Sequence, residues 1–553
     1  MKTKLRPKLF ETLKGYSSKN LLTDTLAGLG VGIVALPLAI AFGIASGVSP
    51  EQGLITAIIG GLLAAIFGGS SVQVSGPTGA FIVIVIGVLQ KYGLDGLLVA
   101  TMLAGIILIL LGVLRLGTII KFIPYPIVVG FTSGIAIILL SSQMKDFLGF
   151  SNDIVVPSAF FKCWESIIAN ISHTNLVSIG LVVITILVAI FSKKVTKLVP
   201  GSLIAIITTT IIVYIFRNQL ELINVETIGD RFVIAGTIPA PKLPAFNLSM
   251  IGELLPSAFT IAVLGSVESL LSATVADGIT GNKTDSNTEL IGQGIANIAT
   301  PLFGGIPVTG AIARTMTNVT NGGRTPVSAI VHAILLIGVL LFLMPLVKFI
   351  PMAALAGVLF IVAYNMSEWR TFKAMVKTKS PDVIVLVITF VLTVTVDLTV
   401  AIEIGMLFAA LLFLKRISEA SGISKFTDSV TTSRGEEKDV PKGVEVYEIE
   451  GPFFFGVANK FEEVMSQTSE TRPQVRIIRM RQVPFIDTTG LHNLEILIQT
   501  SHKENIIVIL SGVQENVRKE LHRSQLIMST IPEENICDRI SIAIGRAKEL
   551  IKI

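Results

Sequence analysis

Long apolar runs, broken by short polar or Gly/Pro-rich stretches, fill the chain from about residue 22 to residue 414. Runs of this length with few charges predict membrane-spanning helices. The pattern places them at 22–47, 53–67, 73–90, 95–114, 125–143, 176–192, 200–216, 254–276, 287–303, 309–320, 325–346, 351–366, 382–397 and 399–414. That is about fourteen, some too short to cross a bilayer alone. The chain thus divides into an N-terminal segment 1–20, a spanning domain 21–416, a polar linker 417–443 and a soluble domain 444–553. In the last, strand-like Val444–Ile449, Val475–Met480 and Ile506–Leu510 alternate with helical stretches from about Ala458, after Asp487, and from about Gln514 and Arg539. Such alternation predicts a mostly parallel sheet.

Two short spans break the apolar rule in the same way. Gly76-Pro77-Thr78-Gly79-Ala80 has a partner in Pro307-Val308-Thr309-Gly310-Ala311, and each follows a Phe-Gly-Gly, at 67–69 and 303–305. Irregular backbone at bilayer depth persists only where protein buries it or it lines a cavity. A matched pair of interrupted segments in two halves of a membrane protein points to a transporter's binding site. A second repeat, Lys121-Phe122-Ile123-Pro124 and Lys348-Phe349-Ile350-Pro351, recurs at nearly the same offset. An odd number of spans separates its copies, so the halves are expected to be inverted repeats.

Charge supplies the orientation. Lys2, Lys4, Arg6, Lys8, Lys14 and Lys19 precede the first span, and Lys193, Lys194 and Lys197 follow the sixth. Arg370, Lys373, Lys377 and Lys379 follow the twelfth, and Lys415 and Arg416 the last. An even count puts all of them, and both termini, on the cytoplasmic side. The loops near 145–175 and 217–252 then face outward. The 553 residues are 51% hydrophobic and carry a net charge of +5, which this topology explains without nucleic acid. The basic N-terminus lacks a small-residue cleavage site and reads as no removable signal. Cys163 and Cys537 fall in different domains, which argues against a disulfide or a cysteine metal site. No metal-ligand spacing, nucleophile elbow or Walker A loop occurs, so neither catalysis, a cofactor nor ATP-driven pumping is expected.

The helices entered at Thr78 and at Thr309 should aim their N-termini at each other, and free N–H groups make such ends anion sites. Gly76, Gly79 and Gly310 allow close backbone approach, and the two threonines add hydroxyls. Arg314, one turn into the second short helix, favours an anionic substrate; the bland alternative is an ion pair with a neighbouring carboxylate. Glu268, inside the apolar run 261–276, can carry a proton during turnover, or pair permanently with Arg314. Asp397 and Glu403 read as structural, Asp24 as an N-cap or interfacial residue, and His332 as packed or hydrogen-bonded. Lys121 and Lys348 read as snorkelling side chains with no substrate role.

The chain resembles the SulP anion permease family. The likeness is carried by the first span from Leu26 to Pro50, by Val74–Phe81, and by the block Ser266–Thr325, whose form is that of bacterial members. The C-terminal part resembles a STAS domain, with Pro484-Phe485-Ile486-Asp487-Thr488-Thr489-Gly490 at its Asp-Ser-Ser-Gly loop. The resemblance implies seven plus seven inverted segments, with a core moving past a gate in an elevator-like cycle. It implies an anion site between the third and tenth helices, lined by Phe42, Thr78, Gly79, Ala80, Thr309, Gly310, Ala311, Ala313 and Arg314. Ala313 replaces a serine, and Leu38 a glutamine, of animal relatives. Arg314 stands where sodium-coupled members carry small residues, so proton coupling through Glu268 is the better expectation. Sulfate is the first substrate expected, with bicarbonate, a C4-dicarboxylate or uncoupled conduction as alternatives. The resemblance also implies a homodimer in a bacterial inner membrane and a regulatory STAS domain. Thr489 maps to a residue phosphorylated in related STAS proteins, although helix capping is its simpler role.

Overall fold

The computed structural model describes residues 5–551 apart from 121–123, 152, 158, 196–199, 220–222, 246–247, 397, 428, 432–436, 456–471 and 524–529. Lys2, Lys4, Lys121, Lys197, Asp397 and the start of the helix expected from Ala458 therefore lie outside the described residues. The chain forms two compact units, 1–407 and 408–553.

Every predicted span has a helical counterpart. They are α1 (Ser18–Ala45), α2 (Pro50–Phe67), strand β1 (Ser75–Gly76) leading into α3 (Ile82–Val113), α4 (Tyr125–Ser142), α5 (Leu176–Val195) and α6 (Gly201–Val213). Then come α7 (Leu248–Thr280), α8 (Ser286–Ala299), strand β2 (Thr309–Gly310) leading into α9 (Ile312–Thr320), α10 (Val327–Phe342), α11 (Met352–Met366), α12 (Asp382–Thr395) and α13 (Leu398–Ala420). Among the described residues, six helices are long and apolar enough to cross a membrane and four more are shorter apolar helices. The third and fourth predicted spans run together in α3, yet Gly93 breaks the helical path at φ 70° between them. That left-handed conformation suits a residue without a Cβ.

Local chemistry fixes the boundaries. Ser17 caps α1 by accepting from Asn20 N–H. Ser49 and Gln52 form a reciprocal capping box at α2. Asp285 accepts from the amides of Asn287 and Thr288 at the start of α8. Asp24, expected as a cap or interfacial group, is not the cap of α1, which is Ser17. It lies inside α1, 1% exposed, and accepts from Tyr16 Oη and the amides of Arg324 and Thr325, so it anchors the approach to α10. The two repeated prolines play one role: Pro124 and Pro351 both stand in extended backbone as N-caps, of α4 and α11.

The second unit holds a five-stranded sheet. In spatial order its strands are β3 (Gly422–Phe426), β4 (Val444–Glu450), β5 (Val475–Gln482), β6 (Ile507–Ser511) and β7 (Ile536–Cys537). The first pair is antiparallel and the others parallel. Helices α14 (Thr488–Lys503), α15 (Glu515–Arg523) and α16 (Ile540–Ile551) accompany it. The stretch 417–443, expected as a linker, instead supplies edge strand β3 and a hairpin of Ser429–Thr431 with Glu437–Asp439. Its polar, half-exposed strands carry little of the hydrophobic signal on which a strand is read from sequence.

Candidate anion site

Two two-residue strands meet in the middle of the spanning unit. β1 and β2 pair antiparallel, with Ser75 opposite Gly310 and Gly76 opposite Thr309. The repeat visible in the sequence aligns Thr78 with Thr309. The pairing instead makes Ser75–Gly76 the counterpart of Thr309–Gly310, a shift of three residues that moves the second helix start. Thr78 does flank a helix, with the turn Gly79–Phe81 opening directly after it. Thr309 does not: α9 begins at Ile312, capped by Ala311.

That shift redistributes the donors. Gly310 N–H donates to Ser269 Oγ at 3.0 Å, and Ala311 N–H to Val74 O at 3.0 Å. The Thr309 hydroxyl donates to Gly265 O at 2.8 Å and lies 2.7 Å from Ser269 Oγ. These groups, expected to face a ligand, are engaged in holding β2 against α7 and the end of β2 against the approach to β1. The amides opening the two helices belong to Gly79 and Ala80 on one side and to Ile312, Ala313 and Arg314 on the other, since the first N–H groups of a helix have no intrahelical acceptor. Ile312 and Ala313 are exposed and Ala311 is half-buried.

Arg314 is 1% exposed, the largest fully buried side chain described. Its Nη2 donates to Pro77 O at 3.1 Å, and its Nη1 rests against Gly76 with no hydrogen-bond partner. A Cβ on Gly76 would occupy the guanidinium's space. No carboxylate pairs with Arg314 among the described residues, so the permanent ion pair with Glu268 is absent. Glu268 Oε2 instead accepts from Thr78 Oγ1 at 3.0 Å. It sits on the face of α7 that carries Gly265, Ser269 and Ser272, a helical spacing that turns all four toward the two broken segments. Phe42 reaches the Gly79 end of the site, and Leu38 packs into the surrounding apolar cluster.

Sequence reading missed Glu289. It is 1% exposed; Oε2 accepts from the amides of Gly69 and Ser70, and Oε1 from Gln73 and Gln293. Gln293 also donates to Ser75 Oγ at 2.7 Å. One buried carboxylate thus pins the connection from α2 to β1. Its place in the first turn of α8 is ordinary for an acidic residue and did not single it out. The Glu289/Gln293 spacing of four, both on the buried face of α8, is the signal that could have found it. His332 is buried, and neither ring nitrogen has a hydrogen-bond partner among the described residues. Glu403 is exposed on α13, and Lys348 is exposed over the Phe349 ring. In the second unit, Asp487 caps α14 through Gly490 N–H at 2.7 Å, so the cap is Asp487 and not Thr489, which is exposed.

Residues 21–389 match the profile of the Sulfate permease family, and residues 437–538 that of the STAS domain. The chain belongs to the sulfate permease family. The YvdB protein of Bacillus subtilis is 39% identical over 93% of this chain and 95% of its own. The bicarbonate transporter BicA of Picosynechococcus is 30% identical over 94% of each chain. Among solved structures, SLC26A9 matches 99% of this chain and 93% of its own, with a TM-score of 0.86 at 19% identity, a likeness of fold. The transmembrane domain of a cyanobacterial BicA matches 70% of this chain and 98% of its own, with a TM-score of 0.64 and 32% identity. This sulfate permease family member is therefore an integral membrane transporter with a C-terminal STAS domain, and not an enzyme.

Proposed function

We propose that the chain is a secondary active anion transporter, with proton-coupled sulfate uptake as its activity. The observation that carries this reading is the unpaired positive charge of Arg314 beside two helix N-termini: no described carboxylate neutralises it. Its hydrogen bond to Pro77 O polarises the Pro77–Thr78 peptide, whose N–H points the opposite way in a trans bond. The anion sits between the Gly79–Ala80 and Ile312–Arg314 amides. Phe42 and Thr78 flank it, while Thr309, Gly310 and Ala311 hold the scaffold.

Glu268 is the proton carrier. Its hydrogen bond from Thr78 links a titratable group to the residue that starts the first helix, so a change of protonation is felt at the anion. The inverted halves move as core against gate in an elevator-like cycle, in a bacterial inner membrane with both termini cytoplasmic. The protein works as a homodimer, and the STAS domain with exposed Thr489 takes a cytoplasmic regulator. Bicarbonate is the second substrate to test, because BicA, named a bicarbonate transporter, aligns over nearly the whole chain.

The experiment is uptake of labelled sulfate into proteoliposomes, with bicarbonate and C4-dicarboxylates as competitors. An inward proton gradient should accelerate uptake, and Arg314→Ala should abolish it. Uptake at the wild-type rate in that variant would remove the anion site from these residues. Sustained current without proton movement, unchanged in Glu268→Gln, would make the protein an uncoupled channel.

A further inference from the structure

Gly79 opens the first broken helix, and its outer side is closely walled. A Cβ there would lie 3.3 Å from Met366 Sδ, 3.4 Å from Phe42 Cε1 and 3.7 Å from Leu139 Cδ2. Phe42 comes from α1. Leu139 and Met366 come from α4 and α11, the helices that follow the repeated prolines. Each stands fifteen residues beyond its proline, Pro124 or Pro351. The repeat thus delivers the same position twice to one spot. Ser133 Oγ donates to Ser367 O, tying the end of α11 to α4.

We infer that Leu139 and Met366 form the specificity wall of the anion site, and that Met366 sets the size of anion accepted. This rests on the reading that the anion binds at the Gly79 amide end. Amides offer an anion hydrogen bonds on one side only. The side chains beyond Gly79 are a leucine, a thioether and a ring, none able to replace water, so an anion large enough to press on them meets contact without compensation. Leu139 is fully buried and branched. Met366 is half-buried and unbranched, with a thioether that adapts its shape, so it is the adjustable member.

The test uses the full chain in proteoliposomes. Uptake of labelled sulfate and, separately, labelled bicarbonate is competed with selenate, sulfate, bicarbonate and formate. Met366→Ala should shift the ratio of selenate to bicarbonate inhibition about tenfold toward the larger anion, and Met366→Phe should shift it the other way. Met366→Leu, of similar volume, should keep the wild-type series. If the alanine variant does not fold, Met366→Val carries the same expectation at smaller amplitude. Unchanged inhibition ratios in the correctly reconstituted smaller and larger variants would overturn the inference while leaving the anion site standing. Wild-type protein that takes up none of these anions would overturn the site itself.

Discussion

The Arg314 guanidinium donates through Nη2 to the carbonyl of Pro77 at 3.1 Å, across the two-rung pairing of β1 with β2. The arginine is thus a clasp between the broken segments, and on the proposed function it also supplies a positive field for the anion. Arg314→Lys keeps the charge and loses the second nitrogen. It should retain measurable uptake at a raised apparent KM, whereas Arg314→Gln should lower uptake about a hundredfold, as loss of a charged hydrogen bond of 2–3 kcal/mol implies. Radiotracer kinetics on the two variants separate charge from clasp.

Gly76 lies under the same guanidinium. Gly76→Ala places a methyl group where Nη1 rests and must displace the arginine. Uptake should fall nearly as far as in Arg314→Gln, while expression and detergent stability change much less. Equal uptake in Gly76→Ala and wild type would show that the arginine has room to move without consequence.

Thr78 and Glu268 share one hydrogen bond. Glu268→Gln should leave exchange of anion against anion intact and abolish its acceleration by an inward proton gradient. Thr78→Val should weaken that acceleration without abolishing it. Uptake followed with and without an imposed gradient, alongside a pH-sensitive dye, reads both effects.

Glu289 satisfies four donors around the connection leading to β1. Replacing it with Ala leaves two buried backbone amides and the Gln73 side-chain amide without this acceptor, while Gln293 keeps only Ser75 Oγ. Each such buried group costs about 1–3 kcal/mol. Thermal unfolding in detergent should therefore start several degrees lower, and Glu289→Gln should fall between, since one oxygen survives.

Asp230, outside the spans, accepts from both terminal nitrogens of Arg217 at 2.6 and 3.1 Å. The Arg217 guanidinium holds its carboxyl down to about 2. A folded-state value below the unfolded one, about 3.9, stabilises the protein above that pH and ceases to do so as pH falls towards 2. The difference in unfolding temperature between wild type and Asp230→Asn should thus be flat above about pH 5 and shrink between about pH 4 and 2. The pair is partly exposed, so the difference should be small and diminished by salt.

The spans were legible because bilayer-length apolar runs leave little ambiguity, and even the join at Gly93 fell between two predicted segments. Glu268 stood out because a charge inside an apolar run is costly, and Arg314 because it lies one turn into a short broken segment. The register of the broken segments was not. Thr-Gly-Ala recurs in both, but chain direction reverses between halves, and backbone pairing follows geometry and not the shared letters. Glu289 stayed hidden because an acidic residue near a helix start is ordinary, and only its partners reveal it. The edge strand at 422–426 was missed because half-exposed polar strands look like connections.

The stitching of β1 to β2 carries one last implication. The two broken helices are fastened to each other, to α7 through Ser269, and to α8 through Gln293 at Ser75 and Glu289 at Gly69, Ser70 and Gln73. On the proposed reading of the site, such a cradle does not release an anion by parting its own halves, because that would tear out buried bonds with nothing to replace them. The same reading has the cradle travelling whole, like a cable car past its platform, until the side that faced Leu139 and Met366 meets water.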